Sequence, residues 1–148
     1  METQKLIGLL EKSFHGPAWH GPAVMEALAD VTPGIAVRRP TTSHNIIELV
    51  MHMTAWRNFV TKRLKGNNEF EVSEKENFPA GTDWAKALNG LQQSQGELVS
   101  AMKMFSEKKL VETVPTREYD FYTMLYGIIQ HDTYHTGQIV LLKKEYKL

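Results

Sequence analysis

Residues 120–144 read DFYTMLYGIIQHDTYHTGQIVLLKK, and this stretch decides the fold. Met124, Leu125, Ile128, Ile129, Ile139, Val140 and Leu142 recur at helical spacing. Positions 124, 128, 131, 135, 138/139 and 142 line up in steps of three and four, so the pattern predicts one amphipathic helix from about Asp120 to Lys144. Such a helix must bury its apolar stripe against other elements. The chain upstream supplies them.

A helix is expected over residues 3–14, from Leu6, Leu9, Leu10 and Phe14. It breaks at a local repeat, His15-Gly16-Pro17-Ala18-Trp19 then His20-Gly21-Pro22-Ala23-Val24, because two Gly-Pro pairs cannot sit in an undisturbed helix. Helix resumes with Pro22 in its first turn, where a missing N–H costs nothing, and Thr32-Pro33-Gly34 stops it. Residues 33–42 read as a connection. A second long helix opens at Thr42 or Ser43 and runs to about Leu64, with Ile46, Leu49, Val50, Met53, Trp56, Phe59, Val60 and Leu64 as its stripe. Gly66-Asn67-Asn68 stops it. Residues 66–82 form a polar connection, long enough to cross an end of the molecule. A third helix opens at Thr82 or Asp83 and carries Trp84, Leu88, Leu91, Leu98, Met102 and Phe105. No segment alternates as a strand does, so the expectation is an all-α four-helix bundle, one domain over residues 1–148.

Composition narrows the function. Lys and Arg number 17, as do Asp and Glu, so the formal net charge is zero. Such a balance lacks the basic excess by which proteins hold nucleic acid. With no cysteine, disulfides, thiolate metal sites and cysteine nucleophiles are excluded. There is no apolar run of membrane-spanning length and no apolar leader, so a cytoplasmic protein without membrane contacts is expected.

Histidine carries the chemical information. His131 and His135, four apart, stack on one helical face, a spacing that lets two imidazoles converge on one ion. His52 faces inward on the second long helix, near mid-height, like the other two. Three such residues on two helices form a plausible ligand set for a divalent metal. The plain alternative is three hydrogen-bonded core histidines. Three neutral ligands leave coordination positions open, as catalytic rather than structural sites do. Glu48, one turn before His52, is a fourth ligand, a general base or a solvated surface charge, and the surface reading is preferred. Asp132 points about 100° away from His131 and is read as facing solvent or capping. Gln138 lies near the histidine face, placed to hydrogen-bond a ligand or a neighbour. Trp19, Trp56 and Tyr134 are candidate pocket walls, with plain core packing as the alternative.

Three stretches also match a known pattern. His44-Asn45-Ile46-Ile47-Glu48-Leu49-Val50-Met51-His52-Met53-Thr54-Ala55-Trp56-Arg57 resembles the second-helix signature of the DinB/YfiT-like family. His131-Asp132-Thr133-Tyr134-His135-Thr136-Gly137-Gln138-Ile139 resembles its C-terminal HxxxHxGQ signature, and Trp19-His20-Gly21-Pro22 its first-helix break. The resemblance implies an up-down-down-up bundle, often a homodimer, with metal held by His52, His131 and His135. It admits zinc or nickel first, then iron or manganese. For function it implies transfer of a low-molecular-weight thiol, such as bacillithiol or mycothiol, to a small-molecule substrate. The alternatives are a hydrolase using metal-bound hydroxide and a non-catalytic metal- or ligand-binding protein.

Overall fold

The computed structural model describes residues 1–148. Four long helices make the frame: α1 (Glu2–His15), α4 (Ile46–Leu64), α6 (Trp84–Met104) and α7 (Phe121–Glu145). Three short ones lie between them: α2 (Val24–Leu28), α3 (Pro33–Ala36) and α5 (Glu74–Asn77). A 3-10 turn spans Glu107–Val111. No β-strand forms, and no helix is long and apolar enough to cross a membrane.

The directions of the long helices follow from two apolar clusters. One joins Phe14 at the end of α1 to the first halves of α4 and α6 and the last turns of α7, through Ile46, Val50, Leu91, Ile139 and Leu142. The other joins the start of α1 to the last halves of α4 and α6 and the first half of α7, through Leu6, Leu10, Phe59, Leu98, Met102 and Leu125. Hence α1 and α7 run one way and α4 and α6 the other, an up-down-down-up bundle. In cross-section α1 touches α6 and α7, and α4 touches the same two from the opposite corner. Parallel α4 and α6 require residues 65–83 to return along the bundle's length, which is why that connection is long.

Helix starts explain the shifted boundaries. The second long helix is capped by Asn45, two to three residues later than the expected caps Thr42 or Ser43. Asn45 Oδ1 accepts from the Glu48 N–H, and a Glu48 carboxylate oxygen accepts from the Asn45 N–H. This reciprocal cap satisfies two otherwise orphaned donors and defeats the isolated hydroxyls of Thr42 and Ser43. Thr32, expected only as part of a stop, also caps a new turn, since its Oγ1 accepts from the Ile35 N–H. In the break after α1, Gly16 has φ 90°, and a Cβ there would collide with the Glu26 carboxylate.

Candidate metal centre

Between the two apolar clusters lies a polar waist with two parts. At the centre, all four long helices contribute. The Arg57 guanidinium (α4) forks onto the Asp132 carboxylate (α7), with one of its two bonds at 2.5 Å. Arg57 Nε donates to Gln95 Oε1 of α6 at 3.3 Å, and the guanidinium lies 4.8 Å from the Phe14 ring centroid of α1. Arg57 and Asp132 are both fully buried. The expectation that Asp132 faces solvent or caps is therefore corrected. Helix α7 packs on α1, α2 and α4, so its buried arc is wide, and the 100° step from His131 lands at the bundle's centre. Burial pushes the Asp132 carboxyl up to about 6, while Arg57 pulls it down. The carboxylate is still ionised at neutral pH.

The second part lies in the seam between antiparallel α4 and α7. His52 comes from α4, His131 and His135 from α7, and their ligand atoms all fall within 4.8 Å of one another. His131 Nε2 is 2.9 Å from His52 Nε2 and 3.1 Å from His135 Nε2. Two of the rings have their outer nitrogens tied to oxygen. His52 Nδ1 is 2.5 Å from the Asn77 carbonyl, and His135 Nδ1 is 2.6 Å from Gln138 Oε1. A carbonyl oxygen only accepts, so both Nδ1 atoms carry the proton and both Nε2 atoms present bare lone pairs. His131 Nδ1 is buried with no partner. One proton on His131 Nε2 could satisfy only one of the two facing lone pairs. A cation satisfies all three. Nitrogens that share an ion at about 2.0–2.1 Å stand about 2.9–3.4 Å apart for bond angles from 90° to tetrahedral. The two separations at His131 fall in that range and the third is within 4.8 Å, so the three histidines could hold a divalent ion.

Burial lowers the pKa of all three imidazoles below the ordinary histidine value of 6.5, that of His131 to about 3. They are neutral at pH 7, as metal ligands must be. The expected result is metal retained from pH 8 down to about 6.5, with release only in more acid solution, because protons compete weakly for sites whose affinity for them is depressed. Titration with a chromogenic chelator at stepped pH measures this, and release beginning above pH 7 would contradict it.

The strap of residues 65–83 supplies what the sequence reading did not. Its Asn77 carbonyl orients His52, and Asn77 Oδ1 accepts from Trp56 Nε1 at 2.9 Å. The Phe78 ring stacks on His52 at 3.9 Å and on His44 at 3.7 Å, so it lies between two imidazoles. The visible signal was a pair of phenylalanines, Phe70 and Phe78, within a largely polar connection.

The remaining candidates divide. Glu48 is not a solvated surface charge. Its relative exposure is 8%, and its oxygens meet Arg39, His44 and the Asn45 N–H, so hydrogen bonds hold it in a helix cap away from the three Nε2 atoms. Trp19 is fully exposed and walls nothing. The Gly-Pro break that carries it lies near α7, with His20 and Pro22 facing Tyr134 and Gln138 across a groove, but nothing covers the Trp19 ring. Tyr134 is largely exposed, its ring 5.0 Å from that of His135. Trp56 is half-buried, 6.4 Å from both the His52 and His131 rings. Gln138 is the partner of His135. Gln138→Leu is expected to cut metal affinity about 10–100-fold with the helical signal unchanged, as loss of an outer hydrogen bond does at other sites. Competition with a metal indicator reads that change.

Two chambers adjoin the histidines. One of about 410 Å3 reaches His135 and is walled by Ser43, His44, Phe78, Tyr134 and Gln138 among others. The other, of about 250 Å3, reaches His131. A groove of about 480 Å3 behind the strap contains none of the three histidines.

The family model of the DinB superfamily matches residues 19–139. Neither the curated proteins nor the solved structures gave a match.

Proposed function

The chain belongs to the DinB superfamily, and from that membership and its three converging imidazoles we propose that it is a metal-dependent enzyme that transfers a low-molecular-weight thiol to an electrophilic small molecule. The observation that carries the reading is the orientation of the ring nitrogens. Asn77 and Gln138 hold two Nδ1 protons outward, which leaves the Nε2 lone pairs of His52 and His135 aimed at that of His131. A bound zinc, nickel, iron or manganese ion would lower the pKa of a thiol and hold it as thiolate.

The donor set calls for an anionic ligand, thiolate or hydroxide, and a thiol is the more acidic source of one. Three neutral imidazoles offset none of the ion's charge, and no carboxylate joins the cluster. An anionic ligand is therefore favoured, and a free thiol near pKa 8.5 gives up its proton more readily than water does. Glu48 is tied into its cap and is not free to handle the protons of a hydrolysis. In the transfer, the thiol proton leaves to solvent and a sulfur–carbon bond forms. The bond from that carbon to the leaving group breaks, with the electron pair leaving on the departing atom. The chain's own residues orient the histidines and present the two chambers.

The test is elemental analysis of protein purified without a metal-affinity column, followed by a screen of thiols with electrophiles. Close to one ion per chain and conjugation that requires both metal and thiol are expected. Turnover without thiol would establish the hydrolase instead, and metal binding with no turnover a non-catalytic binding protein.

A further inference from the structure

We propose that the chamber beside His131 receives an apolar, ring-sized group of the substrate and that Gly127 sets how large that group can be. This rests on the reading of the three histidines as a metal site. The chamber is walled by Trp56, Phe59, Val60, Met124 and Ile128, with His131 at one side. Its lining is overwhelmingly apolar, in contrast to the chamber on the His135 side, where Ser43, His44, Gln138 and Glu145 stand. It is open to solvent on one side, and its volume of about 250 Å3 exceeds the about 150 Å3 of an enclosed apolar cavity that takes up benzene, so a ring fits within it. Trp56 is the half-exposed aromatic wall, meeting Phe59 edge to face at 5.3 Å, while the Phe59 ring itself is covered by the guanidiniums of Arg63 and Arg117.

Gly127 lines the same space, one turn before His131 on α7. A Cβ built there meets nothing within 4 Å. The glycine is thus required neither by backbone conformation nor by close packing, and it costs helix stability relative to alanine. What its missing side chain leaves is room in the chamber.

The experiment compares two thiols on the full-length, zinc-loaded protein by calorimetry. Benzyl mercaptan presents an aromatic ring, and 2-mercaptoethanol does not. The wild type is expected to bind benzyl mercaptan at least tenfold more tightly. Gly127→Leu fills the space and is expected to bring the two affinities within about twofold, with zinc content unchanged. Gly127→Ala, a better helix former, is the folding control and should lower the preference partially without lowering the melting temperature. Equal binding of the two thiols by the wild type would overturn the assignment, as would a preference undiminished in Gly127→Leu. Failure of the metal reading gives a different signature, a wild type that retains no zinc. The chamber is then read in the metal-free protein with toluene by NMR. Shifts at the Trp56 indole and Met124 methyl signals that vanish in Gly127→Leu would support the assignment, and their absence in the wild type would overturn it.

Discussion

His131→Ala is expected to strip the protein of its metal while leaving the bundle folded. His131 Nε2 is the hub of the set, 2.9 Å from its counterpart on His52 and 3.1 Å from that on His135. Without it, two donors on different helices remain, and the loss should exceed the about 10–100-fold typical of removing a mere outer partner. The fold should tolerate the change. The ring is half-buried, and its Nδ1 has no protein partner to be orphaned. His52→Ala is the less clean variant, because it also frees the Asn77 carbonyl and removes one face of the Phe78 stack. Two measurements check the expectation. Metal content after equilibration with excess ion should fall to background in His131→Ala. Chelation should lower the melting temperature of the wild type and leave that of the variant unmoved, since an ion present at 1,000 times its Kd stabilises the native state by about 4 kcal/mol. Wild-type metal content in the variant would remove the basis of the proposed chemistry.

The second large effect concerns stability. Asp132→Asn keeps the shape of the side chain and removes its charge, leaving the Arg57 guanidinium fully buried and uncompensated. Breaking a buried pair in this way costs about 3–5 kcal/mol. At roughly 2–4 °C per kcal/mol for a chain of this length, the melting temperature should fall by about 10 °C. Replacing both partners, as Arg57→Met with Asp132→Leu, should recover most of the loss, because two apolar side chains need no counter-charge in the waist. Thermal and urea unfolding of the wild type and the two variants gives the comparison. A single Asp132→Asn within about 1 kcal/mol of wild type would show that Arg57 finds another partner or water.

Much of this was legible in the residues. Helical periodicity fixes four amphipathic segments, because a stripe at period 3.6 has no other way to bury itself. The Gly-Pro pairs fix the break after α1, and the spacing of His131 and His135 puts them on adjacent turns of one face. Less legible was which part of a wide stripe faces the centre. For α7 the centre is Asp132 and the seam is the histidines, and a helical wheel without neighbours ranks them the other way. Glu48 was misjudged for a related reason, since a carboxylate in a first helical turn looks solvated until its cap and Arg39 are seen.

The sequence by itself determined that the chain is helical, that it lacks cysteine chemistry, and that three histidines share mid-height positions on two helices, for these depend on residue type and local spacing. Tertiary structure decided the rest. Only the antiparallel pairing of α4 with α7 brings ring nitrogens from residues 52 and 131 to 2.9 Å. Only the return of the strap places Asn77 and Phe78 against His52. Both are contacts between segments far apart in the chain, set by which apolar faces satisfy one another, and no local spacing encodes that choice.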